Sequence, residues 1–90
     1  MGIALIKMKI MPESLDSDLN KIKIKIQKIL VEKGARGIGF EERPIAFGLK
    51  ALISSFNIDE SEELDPIEQA ISKIPHVKSA QVEDMRRGLG

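Results

Sequence analysis

Ala4, Ile6, Met8 and Ile10 fall on alternate positions, with Lys7 and Lys9 between the later ones, and Pro12 closes the run. A period of two marks a strand with one face in a core and the other in water. This segment constrains the fold more than any other, because a half-buried strand needs hydrogen-bonded neighbours beside it and an apolar layer over one face. Residues 3–11 therefore predict a strand of a sheet covered on one side.

The covering layer comes from two segments with helical spacing. In residues 15–31, Lys21-Ile22-Lys23-Ile24-Lys25-Ile26 alternates like a strand, whereas Leu15, Leu19, Ile22, Ile26, Ile29 and Leu30 follow 4-3-4-3 spacing. Length decides for a helix, since the stretch holds no Gly or Pro and is too long for an ordinary strand. It is entered through the capping-type residues Ser14, Asp16 and Ser17 and closed by Gly34. Ile24 is left off the stripe as a partly exposed flank residue. The second helix starts at Asp65-Pro66-Ile67-Glu68, which reads as an N-cap, a first-turn proline and a capping-box glutamate. Leu64, Ile67, Ile71 and Ile74 make its buried stripe, and Pro75 stops it.

Residues Arg36 to Arg43, Leu49 to Ile58 and Val77 to Met85 predict the remaining strands, with a turn or bulge at Pro44 to Gly48 and a polar loop at Asp59 to Glu63. The order β-α-β-β-α-β is the split βαβ arrangement. Two right-handed crossovers put both helices on one face of a four-stranded antiparallel sheet, an α+β sandwich. The other face is left to solvent or a partner.

Ninety residues predict one domain over 1–90. Its 14 basic and 14 acidic side chains cancel, which removes the broad attraction that nonspecific nucleic-acid binders and polybasic membrane proteins use. Affinity must come from a local patch. Cysteine is absent and His76 is the one histidine, which excludes disulfides, thiol nucleophiles and Cys-ligated metals and leaves little for His-based chemistry. The start, Met-Gly-Ile-Ala-Leu-Ile, is not that of a signal peptide. No apolar stretch approaches the roughly 18 residues of a membrane span. A cytoplasmic protein that does not bind membranes is expected.

Gly34-Ala35-Arg36-Gly37-Ile38-Gly39 precedes a strand, whereas a P-loop or a GXXG clamp opens a helix, so a helix C-cap and turn is the better reading. An RNA-binding sheet face needs stacked aromatics, and only Phe40, Phe47 and Phe56 exist. Acylphosphatase chemistry would need an Arg cradle where the chain has Met11-Pro12-Glu13-Ser14. His76 after Pro75 fits a turn residue better than a catalyst. Two segments stay unassigned by folding. In Pro44-Ile45-Ala46-Phe47-Gly48-Leu49-Lys50, Phe47 either points outward or caps one end of the core. In Glu83-Asp84-Met85-Arg86-Arg87, two adjacent cations stand near the terminus.

The motifs MPES (Met11 to Ser14), PIAFGLKAL (Pro44 to Leu52) and HVKSAQVEDMRR (His76 to Arg87) occur in this order over nearly the full length. On them the chain resembles the archaeal elongation factor 1-beta family, which is similar to the exchange domain of the eukaryotic factor. The resemblance implies a ferredoxin-like βαββαβ sandwich and a guanine-nucleotide exchange factor for elongation factor 1-alpha, a GTPase. No covalent chemistry, cofactor or direct nucleic-acid contact is implied. Carried over by motif, Phe47 with Gly48 and Lys50 would dock on the GTPase. Arg87, with Met85 and Arg86 beside it, would approach the Mg²⁺ and phosphate site, and His76 would support the surface. The eukaryotic domain ends near a Lys, whereas this chain has Arg87 followed by Gly88-Leu89-Gly90. A small-ligand-sensing or RNA-binding ferredoxin-like module is the alternative.

Overall fold

A computed structural model of the chain describes residues 2–88. Strand β1 (Ile3–Pro12) is followed by helix α1 (Leu19–Glu32), β2 (Arg36–Pro44), a 3-10 turn (Ala46–Gly48), β3 (Lys50–Asp59), helix α2 (Asp65–Ser72) and β4 (Val77–Arg87). The strands pair antiparallel in the order β2-β3-β1-β4. This is the α+β arrangement that the βαββαβ element order predicts and the ferredoxin-like sandwich that the resemblance implies.

The alternation in β1 sets the core. Ala4, Ile6, Met8 and Ile10 stand opposite Ile58, Phe56, Ser54 and Leu52 of β3. All eight are buried, and the apolar ones pack with Ile22, Ile26 and Leu30 of α1 and Ile67 and Ile71 of α2. Each large side chain withdrawn from water in this way contributes about 1.5–3 kcal/mol. Ile24 is 69% exposed, as its place off the stripe predicts.

Helix α1 begins later than the spacing predicts. The Ser17 amide donates to the Ser14 carbonyl at 3.2 Å, the Ser14 amide to Ser17 Oγ at 3.2 Å and the Asp16 amide to Ser14 Oγ at 3.3 Å. These local bonds offer the backbone an alternative to the helix, so Ser14, Asp16 and Ser17 build a loop instead of the cap. Asp18 is the N-cap, accepting the Asn20 and Lys21 amides at 3.0 and 3.3 Å. Leu15 leaves the stripe and is 65% exposed. The C-terminus does follow the sequence: the Gly34 amide donates to Val31 and the Ala35 amide to Leu30, with Gly34 at φ 84°, the Schellman closure that favours glycine.

The start of α2 differs as well. Asp65 lies inside the helix, the cap position is Leu64, and no side chain of the described residues caps it. Glu68 does not close a capping box. Its Oε2 instead accepts the Val82 amide of β4 at 2.7 Å. There the pairing of β4 with β1 shifts by one residue, from Val82 opposite Met8 to Asp84 opposite Lys7. Glu83 is the extra residue of a β-bulge.

The sheet face without helices is partly roofed. Ala51 and Ile53 lie on it, opposite Arg43 and Glu41 of β2, and both are buried. Arg43 Nη1 donates to Glu83 Oε1 at 2.6 Å. That ion pair joins the two edge strands across β3 and β1, and the neighbouring carboxylate raises the already high guanidinium pKa. None of the three Phe serves this face: Phe56 is in the core, Phe40 packs against it, and Phe47 lies in the β2–β3 turn.

Candidate functional site

Phe47 is 97% exposed. Its backbone is at φ 62°, ψ 30°, and Gly48 follows at φ 77°. The Leu49 amide closes the turn on the Ala46 carbonyl at 3.3 Å. Two successive left-handed residues are the mark of a type I′ turn, which suits Asn-Gly between strands. Gly48 meets that demand freely, whereas an aromatic in Phe47's place costs roughly 1–2 kcal/mol. The turn therefore spends stability to hold a large apolar ring in water, and the reading of Phe47 as a cap on the core is excluded. Leu15 backs the turn, its Cδ2 3.8 Å from where a Cβ on Gly48 would stand. Lys50 lies at the rim, its Nζ 3.7 Å from Glu42 Oε1, while Glu42 Oε2 is 3.3 Å from Lys23 Nζ. A shallow groove of about 240 Å³ runs between Pro12, Leu15, Glu42, Gly48 and Lys50.

His76 is the second non-glycine residue with positive φ among the described residues, at 72°. It follows Pro75, and the Val77 amide donates to the Ile74 carbonyl at 3.1 Å, so Pro75 and His76 are the central pair of a tight turn. The predicted turn role is what the backbone shows. The His76 carbonyl accepts the Glu13 amide at 2.9 Å and His76 Nδ1 is 3.6 Å from Glu13 Oε1. A second groove, lined by Ser14, Asp16, Ser17, Asp18, Lys21 and His76, shares Ser14 and Ser17 with the first. The Ser14–Ser17 loop thus stands between Phe47 and His76. Strained backbone gathers at functional surfaces, and both strained residues lie at this end of the sheet.

Met85, Arg86 and Arg87 lie at the other end. They pair with Ile6, Leu5 and Ala4, whereas His76 adjoins the Val77–Pro12 pair and Phe47 adjoins the Pro44–Lys50 pair. Met85 is 61% exposed although Ile6 opposite is buried. Arg86 Nε donates to Asp84 Oδ2 at 3.1 Å, and Arg87 Nε is 3.8 Å from Glu60 Oε2. Exposed pairs of this kind bind weakly, so both guanidinium groups can be transferred to a stronger anion. The tail residues Leu89 and Gly90 lie outside the described residues.

The candidates thus form two groups, one with Phe47, Gly48, Lys50 and His76 and one with Met85, Arg86 and Arg87. The sequence places Leu15 on a helical stripe and Glu13 in MPES, and the structure sets them and Glu60 beside Gly48, His76 and Arg87. MPES was the signal available for Glu13, and the polar loop for Glu60. In that loop, Asp59 Oδ1 accepts the Ser61 amide at 2.9 Å and the Ser61 hydroxyl at 2.6 Å, which holds the Asp59 carboxyl below its ordinary pKa. The Glu60 amide donates to the Gly2 carbonyl at 3.1 Å, which keeps the loop beside Arg87. Among the described residues no helix is long and apolar enough to cross a membrane.

Three comparisons bear on this geometry. The chain resembles the C-terminal domain, LarC2, of a cyclometallase involved in the synthesis of the NPN cofactor of lactate racemase. The TM-score is 0.67 at 10% identity, covering 99% of this chain and 58% of that one, a likeness of fold alone. Proteins named Elongation factor 1-beta are similar over almost their full lengths. That of Methanococcoides burtonii is 42% identical over 97% of this chain and 98% of its own, and that of Methanocella arvoryzae is 40% identical over 99% and 100%. That of Staphylothermus marinus is 37% identical over 97% and 98%. The model of the EF-1 guanine nucleotide exchange domain matches residues 5–87, which takes in both candidate groups. The chain belongs to the EF-1 guanine nucleotide exchange domain family.

Proposed function

We propose that the protein promotes exchange of GDP for GTP on elongation factor 1-alpha by gripping that GTPase at two places, with Phe47 at one end of its sheet and Arg87 at the other. The family makes the chain a translation elongation factor of the nucleotide-exchange class, with a GTPase as its kind of partner. The observation that carries the two-point reading is Phe47 itself, held fully in water by a backbone conformation that disfavours it. An aromatic with a polar rim is a common anchor of protein interfaces. Lys50, Gly48, Leu15 and His76 supply that rim and its support.

Exchange in this reading makes and breaks no covalent bond. The factor binds the nucleotide-free GTPase more tightly than the GDP form, and by linkage it weakens GDP by the same ratio. Arg87 supplies a reason for that ratio. Mg²⁺ bridges phosphate oxygens and protein ligands, so a cation carried near its seat opposes it electrostatically and loosens the phosphates. Arg is planar, bulky and always charged where the eukaryotic domain has Lys, and here it acts from beside the Mg²⁺ seat while Phe47 holds the complex together. The reaction takes place where translation does, in the cytoplasm.

Calorimetric titration of the cognate GTPase tests the linkage. The protein should bind the nucleotide-free form more tightly than the GDP form. Equal affinities would leave it no means of driving exchange.

A further inference from the structure

We propose that Glu68 is a positioning residue for the C-terminal strand, fixing the bulge at Glu83 that decides which face of the sheet each of the two arginines occupies. The inference rests on the reading of Arg87 given above.

A strand's side chains alternate between faces, so one inserted residue moves every later side chain to the opposite face. Before the bulge, Ala80 and Val82 face Ile10 and Met8 and pack against the core. If that register ran on, Asp84 would stand opposite Ile6, which is buried, and Arg86 opposite Ala4. With Glu83 as the extra residue, Asp84 stands opposite Lys7, Met85 opposite Ile6, Arg86 opposite Leu5 and Arg87 opposite Ala4. Arg86 thus belongs to the face without helices, and Arg87 to the helix side, where its Nε lies 3.8 Å from Glu60 Oε2.

Two side chains hold the bulge, one from each side of the sheet. Glu68 Oε2 takes the Val82 amide at 2.7 Å in a partly buried bond, and Arg43 grips Glu83 at 2.6 Å from the far edge strand. A charged acceptor makes the Val82 bond one of the stronger kind. Glu68 has no capping duty in its own helix, and its side chain serves β4.

The test compares Glu68→Met, which keeps length and helix propensity but loses the oxygen, with Glu68→Gln, which keeps an acceptor. Glu68→Ala is the second variant should the Met side chain perturb folding. Cross-strand NOEs report the register directly. The wild type and Glu68→Gln should pair Leu5 with Arg86 and Ala4 with Arg87, and Glu68→Met should lose or shift those pairs while Ile10–Ala80 survives. Exchange assays should show a several-fold lower maximal rate for Glu68→Met, rescue by Glu68→Gln, and no further loss when Glu68→Met is added to Arg87→Ala. Unchanged Leu5–Arg86 and Ala4–Arg87 pairing in Glu68→Met would overturn the proposal, and so would a shifted register with an unchanged maximal rate. If Arg87→Ala alone leaves exchange intact, the role given to Arg87 fails, and the NOE comparison still decides whether Glu68 sets the register.

Discussion

Phe47 and Arg87 stand at opposite ends of the same sheet. Phe47 lies beyond the Pro44–Lys50 pair, at the Pro12 end of β1, and Arg87 pairs with Ala4 near the start of that strand. From Ala4 to Pro12 a strand rises about 3.4 Å per residue, which separates the two groups by roughly 27 Å. A partner touched by both must present two distant surfaces, and the consequences of losing each contact should differ.

Replacing Phe47 by Gly removes the ring and relieves the positive φ together. Thermal unfolding should show equal or higher stability, because no core contact is lost and the backbone strain of roughly 1–2 kcal/mol is removed. Association with the GTPase should weaken by about 2 kcal/mol or more, roughly 30-fold. A fall in stability would return Phe47 to a structural role.

Arg87→Ala should act on the other parameter. The protein concentration giving half-maximal exchange should change little, while the maximal rate falls. Chelating Mg²⁺ should shrink the difference from wild type, because the cation that the guanidinium opposes is then gone. An effect of unchanged size in chelator would separate Arg87 from the Mg²⁺ site.

Ser54 gives a prediction about stability alone. Its side chain is fully buried opposite Met8, and its hydroxyl has no hydrogen-bond partner among the described residues. Ser54→Ala removes an uncompensated polar group and should stabilise the fold by about 1 kcal/mol in denaturant unfolding, with exchange unaltered.

The loop beside Arg87 should respond to acid. Asp59 is held below its ordinary pKa by the Ser61 hydroxyl and amide. Its folded value is the lower one, so its contribution is full above the unfolded value near 3.9 and is lost as pH falls through the folded value. An NMR titration should place Asp59 below 3.9, and Ser61→Ala should move it upward. A titration at or above the ordinary value in the wild type would contradict the geometry.

The element order was legible because the first strand and both helices carry their own apolar periods, while the other strands were readable only as apolar runs between breakers such as Gly34, Pro44 and Pro75; β3, buried at four consecutive positions, has no period of two. Other features lay beyond periodicity. Leu15 fits the helical spacing, yet bonds among Ser14, Asp16 and Ser17 turn it outward. Asp65 and Glu68 match a capping box in spelling, but Glu68 is taken by an amide 14 residues away, a contact that no local pattern contains. Motifs single out Phe47 and Arg87, while their separation follows from antiparallel register. The outward turn of Phe47 depends on a backbone angle that its side chain disfavours, and propensity would have argued against it.

Release of a fluorescent GDP analogue from the cognate elongation factor 1-alpha, followed against increasing concentration of this protein, tests the central claim most directly. The account predicts a release rate that rises and saturates, with Phe47→Gly shifting the midpoint and Arg87→Ala lowering the plateau. A release rate that stays at its spontaneous value at saturating protein would contradict it.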